Sequence, residues 1–288
     1  MRAREPDHHG FVDSDGLDIG YEVFGSGDPT VLLLPTWTIM HARFWKMQVP
    51  YLSRGNRVVT YDGPGNGRTV RSSDPERFST DAEVANAVAV LDAVGADRAV
   101  VVGYSDGGKF GARMAQLHPG RVSALILIAP NLGLDDPLPE RDPIRERFFE
   151  PYPENPEGWE KFNAAYWRDH YDDFARFFMG KVFSEPFSTK QWDDGVGWAL
   201  ETTGAILEAE MRRPADPDPF EVASAVSCPV LLIHGTDDRI IPHQGSVRAA
   251  EVMGASLLTM AGSGHGAHLR DPIPVNLALR EFIDGVTP

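Results

Sequence analysis

The chain has 288 residues, 42% hydrophobic and 24% charged, a globular composition that excludes a disordered or fibrous protein. Its 27 Lys and Arg against 42 Asp and Glu give a net charge of −15, which opposes binding to nucleic acid or to an anionic membrane surface. A single cysteine, Cys228, excludes an internal disulfide framework and a thiolate zinc site, while residues 1–10 are charged and hold no apolar run. The apolar runs fall far short of the roughly 20 residues that span a bilayer, so a soluble, cytoplasmic protein is expected.

Taken in chain order, His8 and His9 read as a mobile terminal pair. Residues 10–25 then alternate, with Leu17, Ile19, Tyr21 and Val23 apolar, and predict an antiparallel ribbon at a sheet edge. Continuous apolar runs follow at 30–35, 57–62, 99–103 and 124–130, bounded by Gly, Pro or Asp. Such runs read as strands buried on both faces, as in parallel sheets. Residues 79–83 predict a helix start with Thr80 and Glu83 as a capping box; Val84, Val88, Leu91 and Val94 recur at helical spacing, and Gly95 ends the helix.

Residues 135–219 have another texture. Pro and Glu cluster there, no β-like run occurs, and Phe162, Tyr166, Trp167, Tyr171 and Phe174 recur at a helical period. This segment reads as a helical cap inserted into one α/β core formed by residues 1–134 and 220–288. Two more strands are expected at 229–234 and 255–260. Strands alternating with helices imply right-handed crossovers and a mostly parallel central sheet with helices on both faces.

The sharpest motif is GYSDGG at 103–108, which follows an apolar run and opens an amphipathic stretch. Strand, sharp turn and helix is the context in which Gly-x-Ser-x-Gly lifts a serine hydroxyl above a sheet edge and toward a helix N-terminus. Without a Gly-Lys-Ser/Thr continuation, the phosphate-binding-loop reading fails. A serine hydroxyl becomes a nucleophile only when a base takes its proton, and that base needs an orienting carboxylate. Both residue types stand after later strands, in the loops at 235–242 (Asp237, Asp238) and 261–268 (His265, His268).

The elbow at 103–108, the turn DGPGNG at 62–67, the acid loop HGTDD at 234–238 and Gly264-His265 together resemble the α/β-hydrolase fold superfamily over nearly the whole chain. Residues 34–46 with the 62–67 turn also resemble hydrolase-like modules that actinobacteria fuse to nucleotide cyclases. The resemblance implies Ser105 as nucleophile, Asp238 as acid, with Asp237 a solvated neighbour, and His265 as base. It implies an oxyanion hole from the backbone N–H groups of Asp106 and Trp37. Pro35-Thr36 stands where the family has His-Gly, so the loop carrying Trp37 departs from the pattern. Lys109, three residues after Asp106 on the same helix, is placed to pair with that carboxylate.

Trp37, Tyr104 and His268 are the candidate substrate contacts; for His268 a surface or helix-capping role stands beside that reading. His265 and His268 lack a third ligand, so no metal and no cofactor is expected. The aromatic cap implies a mainly hydrophobic small-molecule substrate. Cleavage of an ester or lactone leads, with amides or a C–C bond beside a ketone open on the same triad. A peroxidase-like side activity is compatible, and the rival reading is a small-molecule sensor with slow or no turnover. A homodimer is compatible with the sequence, which does not set the oligomeric state.

Overall fold

A computed structural model describes residues 4–286; residues 1–3, the beginning of the charged start, and 287–288 lie outside the described part. Eight strands form one sheet: β1 (His8–Ser14), β2 (Leu17–Phe24), β3 (Thr30–Leu33), β4 (Arg57–Tyr61), β5 (Ala99–Tyr104), β6 (Val122–Ile128), β7 (Val230–Gly235) and β8 (Ser256–Met260). Their spatial order is β1-β2-β4-β3-β5-β6-β7-β8. The pairs β1–β2 and β2–β4 are antiparallel and every later pair is parallel. The expected ribbon is therefore present at one edge. Asp15 and Gly16 turn it with φ of 51° and 80°, the left-handed pair that a two-residue hairpin loop demands. His8 and His9 belong to β1, paired with Val23 and Glu22, so they are strand residues rather than a loose terminal pair.

The unbroken apolar runs follow from burial on two sides. Along β5, Val100, Val102 and Tyr104 face one hydrophobic layer while Ala99 and Val101 face the other. The second layer is closed by α1 (Thr80–Ala93) and α2 (Asp106–Leu117), which contribute Val84, Val90, Leu91, Phe110 and Met114. The cap of α1 lies one residue earlier than the sequence pattern suggests. Ser79 Oγ accepts the Ala82 N–H, and Glu83, one position too late to close a box, turns its carboxyl into the interior.

Between β6 and β7 the chain forms α3 (Ala164–Val182), α4 (Thr189–Ala199) and α5 (Gly204–Met211), and no strand occurs there among the described residues. Asn163 caps α3 by accepting the Ala165 and Tyr166 N–H groups, which leaves Phe162 outside the helix rather than on its face. Trp167, Phe174 and Phe178 supply the buried stripe, and α3 kinks at His170. Then α6 (Pro219–Ser224), α7 (His243–Met253) and α8 (Pro272–Val286) complete the covering of the sheet. No helix among the described residues is long and apolar enough to cross a membrane.

Glu83 yields a stability test. Burial, partly opposed by the Asn86 hydrogen bond, raises its pKa to about 8, and burial likewise raises Glu210 to about 7. An unfolded-chain glutamate titrates near about 4.3, so the folded state holds the proton more tightly. Its contribution is therefore complete below that value and is lost as pH rises toward 8. Glu83→Gln is expected to flatten the fall in Tm between pH 5 and pH 8.5, on the order of 2 kcal/mol of stability at the alkaline end. An unaltered pH profile would contradict the assignment.

Candidate active site

At the carboxyl end of β5 the chain reverses through Ser105, whose φ of 53° and ψ of −118° are strained for an L-residue. Neighbouring backbone holds that conformation. Ser105 N–H donates to Ile128 O (3.0 Å), and its carbonyl accepts the Gly108 and Asn131 N–H groups (2.9 Å each). The turn closes only because two of its residues lack side chains. A Cβ on Gly103 would lie 2.1 Å from Gly107 O, and one on Gly107 would lie 2.3 Å from Pro35 O.

The acid loop after β7 and the base loop after β8 meet at this turn. His265 Nε2 lies 3.1 Å from Ser105 Oγ, and its Nδ1 lies 2.7 Å from Asp238 Oδ2. Asp238 is wholly buried at its side chain, and its Oδ1 accepts the N–H groups of Ile240 (2.7 Å) and Ile241 (2.9 Å). Asp237 is exposed and its carboxylate accepts the Thr236 hydroxyl, so of the two neighbouring carboxylates Asp238 is the one that meets His265. Burial alone would raise the pKa of Asp238. The electrostatic attraction of the His265 ring and hydrogen bonds from His265 and His234 outweigh it and hold the group well below the ordinary carboxylate range. An ionised Asp238 requires a proton on His265 Nδ1, and in the neutral ring that leaves Nε2 bare to accept the Ser105 hydroxyl.

His234 is a partner that the motif reading left unused. Its Nε2 lies 2.9 Å from Asp238 Oδ2 and 3.1 Å from Ile241 O, and its Nδ1 lies 2.7 Å from Ser246 Oγ. Facing two acceptors, Nε2 must carry the proton, and Nδ1 accepts the Ser246 hydroxyl. The His-Gly pair in the sequence signals this residue, but only the fold shows that it shares the carboxylate with His265.

Asp106 begins α2. Its carboxylate accepts the Asn131 Nδ2–H at 2.6 Å, with Lys109 Nζ at 3.6 Å and Arg213 at 3.7 Å. The nearer partner of Lys109 is Asp216, at 2.8 Å, so the expected helix pair is secondary to the Asn131 bond. Burial would raise the Asp106 pKa; Lys109, Arg213 and Asn131 together lower it to about 2. Trp37 packs its ring edge-on against Phe178 at 4.9 Å and tilted against Trp167 at 5.9 Å. Among the described residues the backbone N–H groups of Trp37 and Asp106 are paired with no acceptor.

Trp37, Ser105 and Asp106 line a cavity with about 530 Å³ of empty space, its open mouth included, whose apolar walls come from Trp159, Phe162, Phe178, Ile240 and Ile241. Tyr104 and His268 do not line it. Both are wholly buried behind the triad, with ring centroids 4.3 Å apart, and His268 also packs on Trp45 at 5.2 Å. Burial, then the electrostatic influence of the neighbouring His265 ring, presses the His268 pKa down to about 3. The expected substrate contacts at these two positions are replaced by a packing role, because Tyr104 points to the Phe44 layer and not to the sheet's rim. Asn131, Arg141, Arg145 and Arg213 also line the cavity and belong to no motif in the sequence.

The α/β hydrolase fold family model matches residues 29–272, and the chain belongs to that family and is a hydrolase. It is 28% identical over 286 residues to a Caulobacter segnis protein provisionally named a carbamate hydrolase, covering 93% of this chain and 97% of that one. It is 26% identical over 290 residues to the non-heme chloroperoxidase of Streptomyces lividans, covering 94% and 97%. An esterase from Exiguobacterium antarcticum superposes with a TM-score of 0.80 at 18% identity over 96% of this chain and all of that one, a likeness of fold.

Because backbone atoms occupy the space a Cβ needs, Gly107→Ala is expected to lose about 3 kcal/mol or more of stability, measured by urea unfolding. A variant of unchanged stability would show that the turn is not held closed by that contact.

Proposed function

We propose that this chain is a serine hydrolase that cleaves an ester or lactone of a small molecule through an acyl-enzyme. The observation that carries this reading is the bare Nε2 of His265 at 3.1 Å from Ser105 Oγ, with the opposite ring nitrogen on Asp238. In the first step His265 takes the hydroxyl proton as Ser105 Oγ bonds to the carbonyl carbon. Asp238 stabilises the imidazolium and keeps its own charge. The negative oxygen that forms sits against the N–H groups of Trp37 and Asp106, and loss of one such donor costs about 3–4 kcal/mol of barrier lowering.

His265 then passes its proton to the departing alkoxide, which leaves as an alcohol or, from a lactone, stays tethered to the acyl chain. Water attacks the acyl-enzyme with His265 again as base, and Ser105 is restored. The cap, residues 135–219, supplies Trp159, Phe162 and Phe178 to the cavity wall, where they exclude water and receive the apolar part of the substrate. Relatives named for ester, carbamate and peroxide chemistry agree with an acyl-transfer site.

A fluorophosphonate probe and p-nitrophenyl acyl esters test the reading. Labelling and turnover are expected in the native protein, with labelling lost and kcat lowered by about 10⁴-fold or more in Ser105→Ala. Asp238→Asn is expected to lower kcat by about 10⁴-fold, since the amide favours the wrong His265 tautomer. A protein that small ligands stabilise against heat but that no probe labels would be a sensor instead. Asp106→Asn keeps the backbone N–H and is expected to hold kcat within about tenfold; a collapse with intact folding would assign the carboxylate itself a part in the reaction.

A further inference from the structure

The polar groups around the cavity are almost all donors. Arg141, Arg145 and Arg213 line it together with Ser105, in a chain whose net charge is −15. Trp37 and Trp159 line it too, and the indole Nε1 of each is buried without a partner. Asp106 is the one acidic side chain in the lining, and its charge is already answered by Asn131, Lys109 and Arg213.

The protein's own carboxylates engage the three arginines unequally. Arg141 is anchored: it bonds Asp142 at 2.7 Å and donates to the Ile240 carbonyl. Arg213 stands 3.6–3.8 Å from Asp106, Glu210 and Asp216, longer than a good hydrogen bond to any of them. Arg145 lies over the Phe162 ring at 5.6 Å and has no ion pair among the described residues. A guanidinium carries five N–H donors in a planar fork suited to a carboxylate. Arg145 is exposed and carries no ion pair among the described residues; beside the loosely held Arg213 and the two unpartnered indole N–H groups it makes a cationic, donor-lined pocket with aromatic walls next to the nucleophile.

Resting on the serine hydrolase reading, we infer that the substrate is an organic anion, an ester or lactone whose acyl portion bears a carboxylate, held by Arg145 and Arg213 while its apolar body lies against Trp159, Phe162 and Phe178. This narrows the mainly hydrophobic substrate implied by the aromatic cap: the rings receive the body of the molecule and the arginines its charged end.

The test compares p-nitrophenyl hexanoate with the p-nitrophenyl monoester of adipic acid, which differ in a terminal carboxylate. The charged ester is expected to have a kcat/KM at least tenfold higher, a preference that weakens with added salt. Arg145→Gln is expected to lower the ratio of the two values about tenfold, and Arg145→Lys to restore part of it. Equal turnover of both esters, or a preference for hexanoate, overturns the anion site while leaving the hydrolase reading intact. Titration of Ser105→Ala with the same two esters separates the other case. Tighter binding of the charged ester, lost in the Ser105→Ala, Arg145→Gln double variant, supports the anion site even where the native protein turns over neither.

Discussion

One buried carboxylate organises the site. Asp238 is out of contact with water and receives donors on both oxygens: two backbone N–H groups on one, and two histidine rings on the other. An ionised group at that depth persists only when fully hydrogen-bonded, and each donor is in turn fixed by being needed. The arrangement dictates the tautomer of the neutral His265 ring and so leaves the nitrogen nearest Ser105 free to accept a hydrogen bond. The same demand ties β7, through His234, to the loop after β8 that carries His265, two segments distant in sequence and adjacent in the sheet.

The second constraint is steric. Ser105 keeps a strained backbone because the turn beneath it is locked by hydrogen bonds and by glycine contacts too close for any Cβ. Strain of this kind costs about 1–3 kcal/mol and is retained where the surrounding fold over-determines it. The return is geometric: the hydroxyl is held above the sheet's rim, beside the first N–H groups of α2. The sheet supplies rigidity, and the segment between β6 and β7 adds Trp159, Phe162 and Phe178 to the cavity wall beside Ile240 and Ile241.

Much of this was legible in the residues. The parallel strands announced themselves as unbroken apolar runs, because alternate residues feed two separate hydrophobic layers and neither face needs polar groups. Ser105, Asp238 and His265 stood in motifs that local backbone geometry enforces. Where the reading missed, the cause was tertiary. The α1 cap slipped by one residue to Ser79 because Glu83 is drawn into the interior, and Phe162 left the helical face because Asn163 caps α3. Tyr104 adjoins Ser105 and His268 lies three residues after His265, yet strand β5 and the short helix Ala267–Arg270 turn them into the core. The arginines of the cavity were invisible, since Arg141, Arg145 and Arg213 stand far from Ser105 in sequence and in no motif, and only tertiary packing gathers them.

The most direct measurement of the central claim is a crystal structure of the protein after treatment with a fluorophosphonate. The account predicts phosphorus bonded to Ser105 Oγ, the phosphoryl oxygen within hydrogen-bond distance of the Trp37 and Asp106 N–H groups, and His265 still joined to Asp238. An untouched Ser105, or an adduct on another residue, would contradict it.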